Sequence, residues 1–153
     1  MKHRLNHNAI KWFLNFWPPY LGAGIHVNTI SKDWRYVQVS LKKRWYNSNY
    51  FNTAFGGSLY SMIDPFFALM VMKSLGRDYV VWDKHGEIRF ITPGRAHVIS
   101  EFRVSQKEID DIKETMAQNQ RCEPVFTVDI IDTQGVLVAQ AIKKLSVKRA
   151  LAQ

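Results

Sequence analysis

The chain has 153 residues, of which 46% are hydrophobic and 22% charged, with five Trp, six Tyr and nine Phe. That composition argues against wholesale disorder and suits one compact domain over residues 1–153, burying roughly 70% of its unfolded surface. The formal charge of +8 favours anionic partners without choosing among nucleic acid, phospholipid and a phosphate-bearing ligand, and the lone Cys122 excludes an internal disulfide and a thiolate-rich metal site.

Leu5, Ile10, Phe13, Leu14 and Trp17 recur at helical spacing, and Pro18-Pro19 is expected to stop that docking helix. The start of the chain is too polar for a signal peptide and too short for a membrane span, so a cytoplasmic protein is expected. Strands are predicted over 24–30 and 34–42, the second alternating Val37, Val39 and Leu41 with Gln38, Ser40 and Lys42.

From Gly56 to Leu75 only Asp64 and Lys73 carry charge, so a long central helix, apolar nearly all round, is expected to be enclosed by protein. Pro65 should kink it. Asp64, inside that apolar stretch, needs a partner, a proton or a chemical role. Gly56-Gly57 at the helix start offers backbone N–H groups with no Cβ in front of them.

Further strands are predicted over 79–92, with a break at His85-Gly86, and over 97–105, separated by the Pro93-Gly94 turn. Ser105 and Glu108 have capping-box spacing ahead of a short helix whose Ile109, Ile112 and Met116 form one stripe. Two last strands, 123–132 and 136–148, are joined by the hairpin signal Asp132-Thr-Gln-Gly135. Strands surrounding one helix imply an α+β fold, an antiparallel sheet of about six strands curled around the helix. Such a sheet covers the helix on one side only, so its free edges and remaining apolar surface invite a second subunit, with pairing of dimers into tetramers left open.

The residues Asn49, Phe55-Gly56-Gly57 and Asp64 resemble a motif of the hotdog-fold thioesterase superfamily, in particular its phenylacetate-pathway-like acyl-CoA thioesterases. There an Asn precedes His-Gly-Gly, and an Asp stands eight residues after the first glycine. Glu87 to Gly94 is similar to the strand and Pro-Gly turn that follow the helix in those enzymes. An uncharacterised thioesterase-like branch is closer still: it matches Pro18 to Ile25, Asn47 and Asn49, Phe55 to Tyr60, Asp64-Pro65, Trp82-Asp83-Lys84 and Pro93-Gly94-Arg95.

The resemblance implies a hotdog fold and hydrolysis of an acyl thioester, with coenzyme A as part of the substrate and no separate cofactor. It implies that Asp64 is nucleophile or general base, that the Gly56 N–H polarises the carbonyl, and that Asn49 holds the attacking water or orients Asp64. Gly57, Asn47, Phe55, Tyr60 and Arg95 are then candidate substrate contacts. Arg95, Lys143, Lys144, Lys148 and Arg149 are candidate phosphate ligands or plain surface charge. Two departures stand out: Phe55 replaces the histidine of His-Gly-Gly, and Pro65 follows Asp64 directly. They keep open a second function, a non-catalytic acyl-CoA or lipid-binding module. The histidines show no metal-ligand spacing, and no recognised nucleic-acid motif accompanies the positive charge.

Overall fold

A computed structural model describes residues 6–150. A short helix α1 (His7–Asn15) opens it, capped by Asn6, whose side chain accepts the Ala9 N–H. The two prolines do not end the helical region. They begin a second helix, α2 (Pro18–Ala23), because proline is well suited to the first helical turn, where its missing N–H is not needed. Of the residues expected to dock α1, Ile10 and Leu14 are buried while Phe13 and Trp17 face outward; Leu5 lies outside the described residues.

The strands are β1 (Ile25–Ile30), β2 (Tyr36–Leu41), β3 (Tyr79–Phe90), β4 (Val98–Arg103), β5 (Arg121–Cys122), β6 (Val125–Asp132) and β7 (Leu137–Arg149). They form one antiparallel sheet in the order β1-β2-β4-β6-β7-β3, with β5 paired to β7 off that path. The alternation read from the sequence is the alternation of burial: Val37, Val39 and Leu41 from β2 and Phe126, Val128 and Ile130 from β6 all point into the core. The expected break at His85-Gly86 is a register shift within one continuous strand, between Asp83 and His85. Before β6 runs α5 (Gln106–Gln118), with both halves of the Ser105/Glu108 capping box formed and Ile109, Ile112 and Met116 buried. At 13 residues it is the longest helix of the described chain rather than a short insertion.

The central helix is divided. Its first piece is α3 (Gly56–Ser61) and its second α4 (Phe66–Leu75), separated by a turn that ends in a cis Asp64–Pro65 peptide. Pro65 has no N–H to give the Ser61 carbonyl, and a residue before proline is driven out of the α region, so the helix restarts instead of bending. Asp64 supplies the Ser61 carbonyl with its own N–H at 3.3 Å. Buried Tyr20, from α2, donates its hydroxyl to the Asp64 carbonyl, which has no helical donor. Below the break α4 sinks Phe66, Phe67, Met70 and Val71 into the sheet, where both phenylalanines pack at an angle against Phe102 and Phe67 stacks on Phe126.

Candidate active site

Two clusters emerge, one at each end of α3. The first is built around its N-terminus. The turn preceding α3 is held by Asn49, whose side-chain oxygen accepts the N–H groups of Phe51 and Thr53 and whose amide donates to Thr53 Oγ1 at 2.8 Å. The Ala54 N–H donates to the Gly94 carbonyl at 2.7 Å, clamping this turn to the Pro93-Gly94 turn after β3. Between them lies a cleft of about 430 Å³ whose lining includes Asn49, Gly56, Leu59, Phe90, Pro93 and Gly94. Gly56 and Gly57 are the first two helical residues, so their N–H groups have no acceptor within the helix. The close approach requires glycine: a Cβ on Gly56 would stand 3.0 Å from the Phe90 ring, and one on Gly57 only 2.5 Å from the Phe55 ring.

The second cluster surrounds Asp64, and its composition was not legible as a motif. Asp64 Oδ1 lies 2.9 Å from Lys143 Nζ, and the same ammonium lies 3.1 Å from Asp83 Oδ1. Lys143 is 3% exposed, Asp83 29% and Asp64 49%. Asp64 is therefore not enclosed as expected, because the chain leaves the helix at this turn and swings its carboxylate off the buried face. Lys143, a candidate phosphate ligand by sequence, is instead a buried cation inside the fold. Its neighbour across the β3–β7 ladder is Gly86, where a Cβ would meet the Tyr60 hydroxyl at 2.1 Å and the Lys143 stem at 3.4 Å. The glycine thus makes room for Tyr60, whose ring receives the Lys143 ammonium at 5.6 Å.

Electrostatics couple the three charges. Burial disfavours the Lys143 ammonium, but its hydrogen bonds and charge interactions with Asp64 and Asp83 outweigh this and hold its pKa above the usual lysine value. Burial is also the largest influence on Asp83 and raises its pKa; Asp64's negative charge adds to the rise, and Lys143 opposes it. Of the two carboxylates it is Asp83, shielded from water and facing the negative Asp64, that holds a proton more readily than a free aspartate.

The remaining sequence candidates separate into contact residues and scaffolding. Asn47 is 2% exposed; its amide donates to the Ala23 and Lys42 carbonyls, both at 2.9 Å, and its oxygen accepts the Arg44 N–H. It ties α2 to the segment after β2, and no polar atom of its side chain remains to meet a substrate. Phe55 is exposed and Tyr60 half-buried, whereas Phe66 and Phe67 belong to the core. Arg95 is exposed next to the Gly56 cleft, sharing a shallow site with Lys43 and His97. Lys144, Lys148 and Arg149 lie on β7, the last two exposed. Asp64 does not line the Gly56 cleft. No cluster of His, Cys, Asp and Glu suited to a metal occurs among the described residues.

Lys143 and Asp83 left one signal in the sequence. In Ala139, Ala141, Lys143, Leu145 and Val147 the lysine occupies the inward phase of an alternating strand, where a charge needs a buried partner.

Solved structures share this architecture at low sequence identity. A probable thioesterase of unknown function from Pseudomonas aeruginosa superposes with a TM-score of 0.84 at 15% identity, covering 95% of this chain and 97% of that one. A Haemophilus influenzae thioesterase gives 0.69 at 13% identity over 97% and 94% of the two chains. A Chlorobaculum tepidum protein of unknown function gives 0.73 at 12% identity over 95% and 98%. No curated protein matches the chain. A sheet curled about a central helix is the hotdog fold of those neighbours, and a family match over residues 6–147 places this chain in the family described as domain of unknown function DUF4442.

Proposed function

We propose that the protein hydrolyses acyl thioesters, with coenzyme A as the thiol portion, in a homodimer whose active site is shared between subunits. The observation that carries this reading is the cleft at Gly56: a half-apolar groove ending on bare main-chain N–H groups, with a carboxylate in the turn that follows the same helix. An N–H fixed at the carbonyl oxygen stabilises the charge that develops there during attack. The thiolate leaves readily, so no strong acid is needed at the sulfur.

One chain does not complete the site. Gly56 and Asp64 stand at opposite ends of α3, whose six residues span roughly 9 Å at about 1.5 Å per residue, with Asp64 in the turn beyond its last residue. A carbonyl bound by one and attacked under the control of the other requires about 6 Å. A second copy supplies the missing half. β3 is a terminal strand of the sheet, 12 residues long, with Val80, Trp82 and Phe90 exposed along it. A long free edge carrying exposed apolar side chains is a natural pairing surface for an identical strand. In this arrangement Asp64 of one subunit activates water, or attacks directly, at a carbonyl held by Gly56 of the other. Lys143 and Asp83 fix the Asp64 rotamer, Asn49 borders the reacting carbon, and Arg95 with Lys43 meets the phosphates of coenzyme A. Gly57, Phe55 and Tyr60 shape the entrance.

The ion pair favours a second reading as well. A carboxylate tied to a buried lysine can be purely structural, and the protein would then bind acyl-CoA without cleaving it. Mixed subunits distinguish the two. Asp64→Ala chains and Gly56→Leu chains are each inactive by the shared-site account, and mixing them after mild dissociation restores activity in heterodimers that retain one intact site. Failure of every mixture to hydrolyse a substrate that the wild type cleaves would remove the shared site.

A further inference from the structure

α1 has an unusual outward face. Ile10 and Leu14 hold it to β1, and Asn15 caps the free edge of that strand by accepting the Val27 N–H and donating to the Val27 carbonyl. Beyond the exposed Asn8 of its first turn, the residues pointing the other way are aromatic: Trp12 is 63% exposed, Phe13 60%, Phe16 66% and Trp17 38%. Trp12 stacks on Phe16 at 5.6 Å and Phe13 on Trp17 at 6.4 Å, giving two parallel rows one helical turn long. Leu21 of α2, 52% exposed, continues them, its N–H bonded to the Trp17 carbonyl. This face carries no charge. Solvent-exposed rings in this density are rare on a monomeric surface and mark a contact.

Cations border it. Lys11 donates to the Asn28 carbonyl on β1, and Lys11 and Lys42 both act electrostatically on His26 of the same strand. The Lys42 N–H donates to the carbonyl of Gly24, the C-cap of α2, which brings the run Lys42-Lys43-Arg44 beside Leu21. Trp45 follows, 89% exposed. β1 is the sheet edge opposite β3, so the face lies away from the edge assigned above to subunit pairing.

We propose that α1 and the start of α2 dock the protein on an anionic phospholipid surface. Trp and Phe suit the boundary between acyl chains and headgroups, and a flanking basic run suits the negative headgroups. The formal charge of +8 acts in the same direction. No helix of the described residues is long and apolar enough to cross a bilayer, so the mode is lying on the surface rather than spanning it. A nucleic acid fits less well: it needs open ring faces interleaved with cations, whereas these rings already stack on one another and the charges stay outside them. The proposal stands independently of thioester hydrolysis.

Vesicle co-sedimentation tests it, with tryptophan emission as a second readout. The wild type is expected to sediment with phosphatidylcholine vesicles containing phosphatidylglycerol, with emission shifted to the blue, to remain in solution with pure phosphatidylcholine, and to dissociate at high salt. Trp12→Ser combined with Phe16→Ser should keep the melting temperature and oligomeric mass while lowering the partition coefficient about tenfold or more. Lys42→Glu should weaken binding to the anionic vesicles alone. If the double variant melts lower, Phe13→Ser on the same face carries the comparison. The proposal is overturned if the wild type sediments with neither vesicle, if the serine variants bind as well as the wild type, or if those substitutions reduce the oligomeric mass, which would assign the face to a second copy. Capture of a single-stranded oligonucleotide without vesicle binding would overturn it too.

Discussion

Replacing Lys143 by methionine keeps the buried stem and removes the charge, leaving Asp64 and Asp83 facing each other without a cation. Each lost charge-assisted hydrogen bond contributes about 1.5–3 kcal/mol where both groups are buried. Asp64 is half in water and regains hydration, so its share falls to that of a surface pair, less than about 1 kcal/mol; Asp83, more enclosed, retains most of its share. The variant escapes the cost of burying an ammonium, which offsets part of the loss. The expected net destabilisation at neutral pH is about 2 kcal/mol, or roughly 4–8 °C in melting temperature for a chain of this size. The dependence on pH has a definite sign. Lys143 has a folded-state pKa above 10.5, so its contribution is fully present below that value and declines as the pH rises through the folded-state pKa. Thermal melts of both proteins from neutral pH to strongly alkaline solution should show a constant gap that narrows only above about pH 10.5. A methionine variant that equals or exceeds the wild type at pH 7 would show that the cluster does not hold this part of the fold together.

Tyr20→Phe preserves the ring contacts with Trp17 and Phe66 but leaves the Asp64 carbonyl without its donor. It should cost about 1.5 kcal/mol by chemical denaturation and lower turnover more than substrate affinity, since Asp64 is then less firmly placed. Asn47→Ala, which orphans two carbonyls and an N–H around a buried site, should lower stability by about 2–3 kcal/mol and leave the ratio of activities among substrates unchanged. Ser105→Ala removes the cap of α5, far from both clusters, and should cost about 1 kcal/mol in a melt with no effect on acyl-CoA hydrolysis.

The strands were legible because the sheet has one dry face. Val37, Val39 and Leu41, and then Phe126, Val128 and Ile130, record that face in their spacing. The capping box before α5 was legible because it is a local device in which Ser105 and Glu108 satisfy each other's backbone. What local patterns do not record is pairing across distance. Asp64 and Lys143 are 79 residues apart in sequence and meet only because β7 runs beside β3 with Gly86 opposite the lysine. The first helix does end ahead of Pro18-Pro19, but the helix that the prolines begin went unread for a related reason: proline ends one helix and starts another equally well, and the choice depends on Tyr20 having a core to enter. The glycines, Asn49 and Asp64 were all visible as residue types. Their distribution over two clusters follows from the helix rising away from Gly56, and Asn47 turned out to be scaffolding because the end of α2 and the segment after β2 converge on it.

The most direct measurement is hydrolysis of a panel of acyl-CoA esters, short to long, by the wild type and by Asp64→Asn, which keeps the shape and hydrogen-bonding reach of the side chain but cannot accept the proton. The account predicts turnover of at least one ester by the wild type and a loss of about 10²-fold or more in the variant with binding retained. Undiminished hydrolysis by Asp64→Asn, or binding by the wild type without cleavage of any ester, would contradict it.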